Sequence, residues 1–466
     1  MPDLPSELWT QIFDLAADEA LILQHRLPTS MSGLKHFQNN LSGFPAESLQ
    51  DELNRVQRRS YRTKKAVVLT CKKWRALEHQ SLFSFLYFRA PSCLCNILDT
   101  SAAAATTAAA SLGWWTRRIH LASINNDKAM LPEDLAVLHN ALVRILRRCP
   151  NLESLVVQWP LDGEAFGAIV DALVRHAASS LRTLFVTIPA SALHKLVTIL
   201  PVLPSICALH IELTTRVRER HLPTPDGPDD RLRLPNLQQL SLSGRPQQLI
   251  HVAKHWHLPA LRTFSLFCDT HTEAHLPATP AFLAAHGAQL TALELFSKPA
   301  MPLACMLAAC PALTTLSFNG DWALDLPSDA GAPPDTPPFA HARLARVGLH
   351  GLTHAFYLRP VFAGRSEAER EAARMNERAL ALLCDRARFP ALRRVRVLSG
   401  DVVRERERAQ GDGGGTAQRS ARTWARWDGM LAHAEIQLED YSGEVLPPWP
   451  GVSTDRHDDE VKQAGD

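Results

Sequence analysis

Apolar residues recur along the chain in a pattern that predicts a series of short strands. Residues 150–157 read Pro-Asn-Leu-Glu-Ser-Leu-Val-Val, and the spacing Leu-x-x-Leu-x-apolar returns in eight further copies. Six of the nine copies place a proline two residues before their first apolar residue. The copies begin at Leu152, Leu181, Ile206, Leu237, Leu261, Leu290, Leu313, Leu344 and Leu392, and weaker versions occur at residues 119–121 and 436–438.

Successive copies lie 23 to 31 residues apart, with one gap of 48, which is at or just above the leucine-rich-repeat period of about 20–29 residues. Each strand would point alternate side chains inward, and a helix would lead the chain back to the start of the next strand. Stacked units share one core and one parallel sheet. The sequence therefore predicts an α/β fold, a leucine-rich-repeat-like solenoid over residues 114–450, with a generic α/β domain as the alternative. Return helices are predicted at residues 165–176, 192–200, 249–256 and 367–388.

A helical pattern opens the chain. Leu4, Leu8, Ile12 and Leu15 recur at helical spacing, and Pro5 suits the first helical position. These features predict a helix over residues 4–24.

A polar stretch then interrupts the helical pattern. Residues 25–62 contain several prolines and glycines and are interpreted as an insertion, with a possible short amphipathic helix near residues 49–56. Periodicity returns at residues 63–80, where a second helix is predicted, and the aromatic run at residues 82–88 predicts a buried strand or turn. The alanine-rich residues 91–113 are predicted to link this N-terminal module, residues 1–90, to the repeats.

Three segments depart from the repeat. The proline-rich residues 325–338 predict an exposed loop, and the glycine-containing residues 404–422 predict a flexible one. The acidic tail at residues 451–466 is predicted to be disordered.

Amino-acid composition and net charge exclude some classes of protein. Of 466 residues, 46% are apolar and 21% are charged, which excludes global disorder. The formal net charge is only +2, so the whole molecule offers no strong field for attracting nucleic acid or an anionic membrane. Nine scattered cysteines form no even framework, and neither a signal peptide nor a membrane span is evident. We therefore expect a soluble protein with reduced thiols, in the cytoplasm, the nucleus or both.

Catalytic motifs are absent from the sequence: there is no phosphate-binding loop, dinucleotide fingerprint, nucleophile elbow or zincin motif. Cys268, His271 and His275 have spacing that could suit zinc, but they lack an evident fourth ligand. His251, His255 and His257 form a weaker candidate. We therefore predict no catalytic residue, no cofactor and no metal.

A basic cluster precedes the second predicted helix. It could serve nuclear import or nucleic-acid binding, although a solvated helix face is the simpler interpretation. The cluster consists of Arg55, Arg58, Arg59, Arg62, Lys64 and Lys65.

Two N-terminal segments together resemble the F-box. Residues 4–13 read Leu-Pro-Ser-Glu-Leu-Trp-Thr-Gln-Ile-Phe, and residues 68–77 read Val-Leu-Thr-Cys-Lys-Lys-Trp-Arg-Ala-Leu. They match the Leu-Pro start, the Ile-Phe pair and the Cys-Lys-x-Trp-Arg ending of that family. The two halves are separated here by more than 50 residues instead of roughly 20, and such insertions are familiar in the large fungal F-box family, whose members often continue into leucine-rich repeats.

The resemblance implies a substrate-recognition subunit of a cullin-RING ubiquitin ligase. The F-box would bind a Skp-type adaptor, and through it a cullin, while the repeats would bind an unknown protein substrate. The alternatives are a helical cap on the first repeat, a leucine-rich scaffold without a ligase role, and a metal-dependent hydrolase built on Cys268. The family's apolar adaptor-binding positions are matched by Leu4, Pro5, Leu8, Ile12, Phe13, Leu69, Cys71 and Trp74.

Overall fold

The fold was obtained as a computed structural model, which describes residues 4–17, 22–32, 45–88, 112–122, 132–159, 161–214, 232–268, 277–298, 301–321, 340–352, 355–356, 367–411 and 415–450. The predicted linker, except for its last two residues, the proline-rich loop and the acidic tail lie outside these ranges. Within them, no helix is both long enough and apolar enough to cross a membrane.

The N-terminal helices differ from the prediction at their boundaries. Helix α1 spans Ser6–Ala16 and ends well before residue 24. Helix α2 spans Pro45–Thr70, so the proposed short helix of the insertion continues without a break past residue 62. Helix α3 spans Lys72–Ser84 and is followed by strand β1, Phe85–Phe88, which confirms the predicted strand.

Residues 63–80, predicted as one helix, are divided at Cys71 into the end of α2 and the start of α3. Its backbone is extended, with φ −158° and ψ 167°, and its Sγ accepts a hydrogen bond from the Trp74 N–H at 3.4 Å. A side chain that accepts from the N–H three residues later is the geometry of a helix N-cap. The single predicted helix is therefore wrong, because Cys71 caps α3 instead of continuing α2.

In the described ranges, twelve parallel strands follow one another in chain order. Each of the nine repeat copies has a strand that begins two residues after its first apolar residue, and the two weaker copies have strands as well, so the strand prediction is confirmed. The strands after β1 are β2 Arg118–Leu121, β3 Ser154–Val157, β4 Thr183–Ile188, β5 Ala208–Leu213, β6 Gln239–Gly244, β7 Thr263–Leu266, β8 Ala292–Leu295, β9 Thr315–Asn319, β10 Arg346–His350, β11 Arg394–Val397 and β12 Gln437–Glu439.

Helices occupy most of the connections between strands. The four predicted return helices are confirmed by Gly163–His176 (α5), Leu193–Ile199 (α6), Gln247–Ala253 (α7) and Glu367–Leu383 (α10). Asp162 caps α5, since its Oδ1 accepts hydrogen bonds from the N–H groups of Glu164 at 2.9 Å and Ala165 at 2.7 Å. The helices after α3 are α4 Pro132–Leu146, α5 Gly163–His176, α6 Leu193–Ile199, α7 Gln247–Ala253, α8 Ala278–His286, α9 Leu303–Ala309, α10 Glu367–Leu383, α11 Gly400–Gly411 and α12 Gly415–His433.

The chain divides into two compact units. The first comprises Met1–Pro28 with Leu49–Leu290, and the second comprises Thr29–Ser48 with Thr291–Asp466. In the first unit, the repeated leucines align in register across five strands: Leu155, Leu184, Leu209, Leu240 and Phe264 are successive partners, and all are fully buried. This row explains the repeat, because one apolar position per copy maintains a continuous core.

A similar row runs through the second unit, where Leu293, Leu316, Val347, Val395 and Leu438 are successive partners. All five side chains are buried. The last of them belongs to one of the two weaker copies, so that copy contributes to the core as the others do.

Helices α11 and α12 correct the prediction of a flexible segment at residues 404–422. Apart from residues 412–414, which lie outside the description, this part of the chain is helical. Trp424 and Trp427 of α12 are buried, and the Trp424 ring stacks on Phe356 with centroids 4.1 Å apart. The two buried tryptophans provide the apolar area that stabilises these helices. The charged sequence around residue 404 does not indicate this burial.

Candidate functional site

Three aromatic rings join α1 to α3. Trp9 and Phe13 stack with centroids 5.6 Å apart, and the Trp74 ring lies 5.1 Å from Trp9 and 5.0 Å from Phe13. Offset and edge-on aromatic contacts at these distances are favourable beyond the area they bury. The two segments that carry the sequence resemblance are therefore in contact, although residues 14–67 separate them in the sequence.

A second side of α1 is apolar but exposed. Leu8, Ile12 and Leu15 recur at positions i, i+4 and i+7 and so lie on one face of the helix. Their exposed fractions are 43%, 43% and 79%. We call these three residues the α1 apolar face. Adjacent exposed side chains of this size are typical of a surface that binds a partner.

The remaining predicted adaptor-binding residues divide into two groups. Phe13, 3% exposed, and the partly buried Trp74 pack against each other in the aromatic cluster. Leu69 at the end of α2 is 63% exposed, while Leu4, partly buried, and Pro5, exposed, lie at the start of α1. Cys71 is exposed and caps α3.

Leu15 is not among the predicted adaptor-binding residues, because the F-box-like sequence of α1 ends at Phe13. It nevertheless belongs to the same helical stripe as Leu8 and Ile12. The signal that identifies it is the helical periodicity of the stripe.

The basic cluster of α2 does not form one solvated face. Lys64 is buried, and its Nζ donates to the Ser81 carbonyl at 2.9 Å and lies 3.2 Å from the Ser84 Oγ. Arg59, Arg62 and Lys65 are exposed. Lys64 therefore fastens α2 to the end of α3.

The structure describes only some residues of the two candidate metal sites. His271 and His275 lie outside the described residues, so Cys268 is the one member of that candidate set that the structure describes. The rings of His251 and His255 have centroids 6.4 Å apart. No cluster of three or more metal-ligating side chains occurs in the described ranges.

Buried histidines on the sheet are neutral. His120 lies with Nδ1 2.9 Å from the Gln57 Oε1 and Nε2 3.1 Å from the Gln158 Oε1. His210 places its two ring nitrogens 2.8 Å and 3.1 Å from the hydroxyls of Ser241 and Ser243. Burial lowers the pKa of each histidine to about 3, so neither acts as an acid or base near neutral pH.

Residues 22–28 lie on this polar face of the sheet in the first unit. Arg118 Nη1 donates to the Ile22 carbonyl at 3.0 Å, and Thr183 Oγ1 donates to the His25 carbonyl at 2.6 Å. The Gln239 amide accepts from the Leu27 N–H at 2.9 Å and donates to the Leu27 carbonyl at 3.0 Å. The sequence assigns residues 22–24 to the first predicted helix and residues 25–28 to the polar insertion, and it predicts none of these contacts.

In the second unit, Ser30 and Met31 make contacts of the same kind. The Glu294 Oε1 accepts from both the N–H and the Oγ of Ser30, each at 2.6 Å. Arg396 Nη1 donates to the Met31 carbonyl at 3.1 Å, while its other nitrogens bind the Glu439 carboxylate at 2.9 and 2.7 Å. Buried charges are satisfied here by main-chain groups and by one another.

No family model matches the chain, and no curated protein matches it.

Proposed function

We propose that this protein is a non-catalytic substrate-recognition subunit of a cullin-RING ubiquitin ligase. Its F-box-like helices would bind a Skp-type adaptor, and its leucine-rich-repeat-like solenoid would hold a protein substrate. The observation that carries the proposal is the α1 apolar face. On another side of the same helix, Trp9 and Phe13 contact Trp74 and so join the two halves of the F-box-like sequence. The function requires no cofactor or metal, and it places the protein in the cytoplasm or nucleus.

The α1 apolar face has enough area to contribute to such a complex. Fully burying a leucine or isoleucine side chain is worth about 1.5–3 kcal/mol. Completing the burial of Leu8, Ile12 and Leu15 from their present exposure would contribute about 3 kcal/mol. A micromolar complex requires about 8 kcal/mol, so these side chains would supply a substantial share and neighbouring contacts the rest.

The proposed mechanism is proximity. One part of the chain is fixed to the ligase and another part holds the substrate, so the substrate's lysines are presented at high effective concentration to a conjugating enzyme. The chemistry of ubiquitin transfer then belongs to other subunits, in agreement with the absence of catalytic motifs from the sequence.

Co-purification with a Skp-type adaptor tests the proposal. The full chain should retain the adaptor, and the double substitution Leu8→Asp with Ile12→Asp should abolish retention, because two carboxylates would have to be buried in the interface. The matched control is Val137→Asp with Val202→Asp, which adds the same charge at apolar residues that are 58% and 49% exposed elsewhere in the first unit.

Two outcomes would count against the proposal in different ways. If the unsubstituted chain does not retain the adaptor, the ligase role fails and a leucine-rich scaffold is the better description. If the α1 double variant still retains the adaptor, the ligase role stands but the docking surface is wrong.

A further inference from the structure

We propose that the polar face of strands β2 to β6 is a peptide-binding surface, and that residues 22–28 of the same chain are its occupant. A partner protein would bind there by inserting a short peptide in place of these residues, which we call the crossing segment. The inference goes beyond the proposed function, because it holds whether or not an adaptor binds α1.

Recognition of the crossing segment is directed at its main chain. Arg118, Thr183 and Gln239 make four hydrogen bonds to it, and all four end on a backbone carbonyl or N–H. Every residue except proline offers both groups. A surface that recognises these groups can therefore accept another peptide of different sequence.

The three side chains are built into the sheet. Their exposed fractions are 5%, 2% and 6%, and they lie on β2, β4 and β6, so they form a row across the strands. A buried polar group without a partner costs free energy. The crossing segment supplies main-chain partners to all three side chains, so a peptide that replaces it must offer main-chain groups at matching intervals. Residues 24–28 adopt neither helix nor strand, so their backbone groups are available to side chains.

Side chains of the crossing segment define the class of peptide. Ile22 is fully buried against Val56 and Phe85, and Leu27 is 8% exposed. Between them, the His25 Nε2 lies 3.6 Å from the Glu153 carboxylate. A competing peptide would thus carry apolar residues five positions apart, with a basic or protonatable residue between them.

The occupant sets a threshold for binding. A partner's peptide must displace a segment that is covalently attached and therefore present at high effective concentration. A partner's peptide consequently binds the surface only weakly until the crossing segment is released.

Binding of a labelled peptide tests this inference. The probe is a fluorescein-labelled peptide with the sequence of residues 22–28, measured by anisotropy against the full chain and against its Leu27→Asp variant, in which the occupant is weakened. The variant should bind the probe at least tenfold more tightly than the unsubstituted chain. Adding Gln239→Leu to the variant should abolish binding, whereas the control Gln238→Leu, at the exposed neighbouring glutamine, should leave it unchanged.

Equal binding by the unsubstituted chain and the Leu27→Asp variant would overturn the inference, as would a folded variant that binds no probe. If the variant does not fold, hydrogen exchange on the unsubstituted chain decides the matter. The Leu27 amide should be protected, and millimolar unlabelled peptide should accelerate its exchange by displacing the crossing segment. No acceleration at that concentration would overturn the inference.

Discussion

Arg406 and Asp428 form a buried ion pair that joins α11 to α12. The guanidinium Nη1 lies 3.1 Å from one carboxylate oxygen and Nη2 lies 2.7 Å from the other, and the two residues are 2% and 7% exposed. Asp428 also accepts the Trp449 N–H at 2.7 Å, and the guanidinium carbon of Arg406 lies 4.8 Å from the Trp424 ring centroid. The pair thus connects the two helices to the end of the described chain.

Arg406→Met is expected to destabilise the second unit by about 3–5 kcal/mol, because it leaves the Asp428 carboxylate buried without its partner. Arg408→Met is the matched control, since Arg408 is exposed and its pair with Glu405 is worth at most about 1 kcal/mol. Urea unfolding followed by tryptophan fluorescence measures both. A midpoint for Arg406→Met equal to that of Arg408→Met would show that the pair does not hold the helices together.

The cap at Cys71 gives a second prediction. Cys71→Ala removes the acceptor for the Trp74 N–H and should cost about 1 kcal/mol of stability in the α2–α3 junction. Cys71→Ser should stabilise the same junction relative to alanine, because serine is a preferred N-cap residue. Thermal unfolding of the three proteins checks the order. If serine and alanine behave alike, the side chain at this position does not cap α3.

Much of the sheet could be predicted from the sequence because its signal is local and repeated. Leu184 and Leu209 occupy the same position in successive copies, and they are partners in the structure. Each strand needs the same buried position, so the pattern recurs wherever a strand occurs.

The remaining features depend on contacts that the local sequence does not reveal. The hydrogen bonds between Gln239 and Leu27 join residues 212 positions apart and use the leucine main chain, which leaves no mark on residue type. The ion pair of Arg406 with Asp428 likewise became evident only in three dimensions. The F-box-like motif predicted Leu8, Ile12, Phe13 and Trp74 together as adaptor-binding residues, but which of them pack inside depended on the ring contacts of Trp74.

Truncation of Phe13 should lower stability strongly, whereas truncation of Leu15 should leave stability almost unchanged. Phe13→Ala removes a ring that is 3% exposed and should destabilise the α1–α3 contact by about 3–5 kcal/mol. Leu15→Ala changes a side chain that is 79% exposed and should alter stability by less than about 0.5 kcal/mol. Hydrogen exchange of α1 amides measures both effects, and adaptor retention should be weakened by Leu15→Ala although the fold is unchanged. Loss of stability in Leu15→Ala would assign this residue to the core.

The buried histidines predict how stability depends on pH. Burial lowers the pKa of His120, His210 and His350 to about 3, while an unfolded histidine titrates near 6.5. Between these values the unfolded chain binds more protons than the folded one, so stability is greatest above pH 6.5 and falls as the pH drops towards 3. Each histidine contributes a slope of up to about 1.4 kcal/mol per pH unit in this range.

A glutamine substitution isolates one of these contributions. His210→Gln retains polar contacts to the Ser241 and Ser243 hydroxyls but cannot be protonated. Its unfolding free energy should fall less steeply between pH 6.5 and 5 than that of the unsubstituted chain, by up to about 2 kcal/mol over that interval. His433→Gln, at the last position of α12, is the control, because the His433 side chain is exposed. Urea titrations at half-unit pH steps provide the comparison, and parallel pH profiles for the unsubstituted chain and His210→Gln would mean that His210 is protonated in the folded protein.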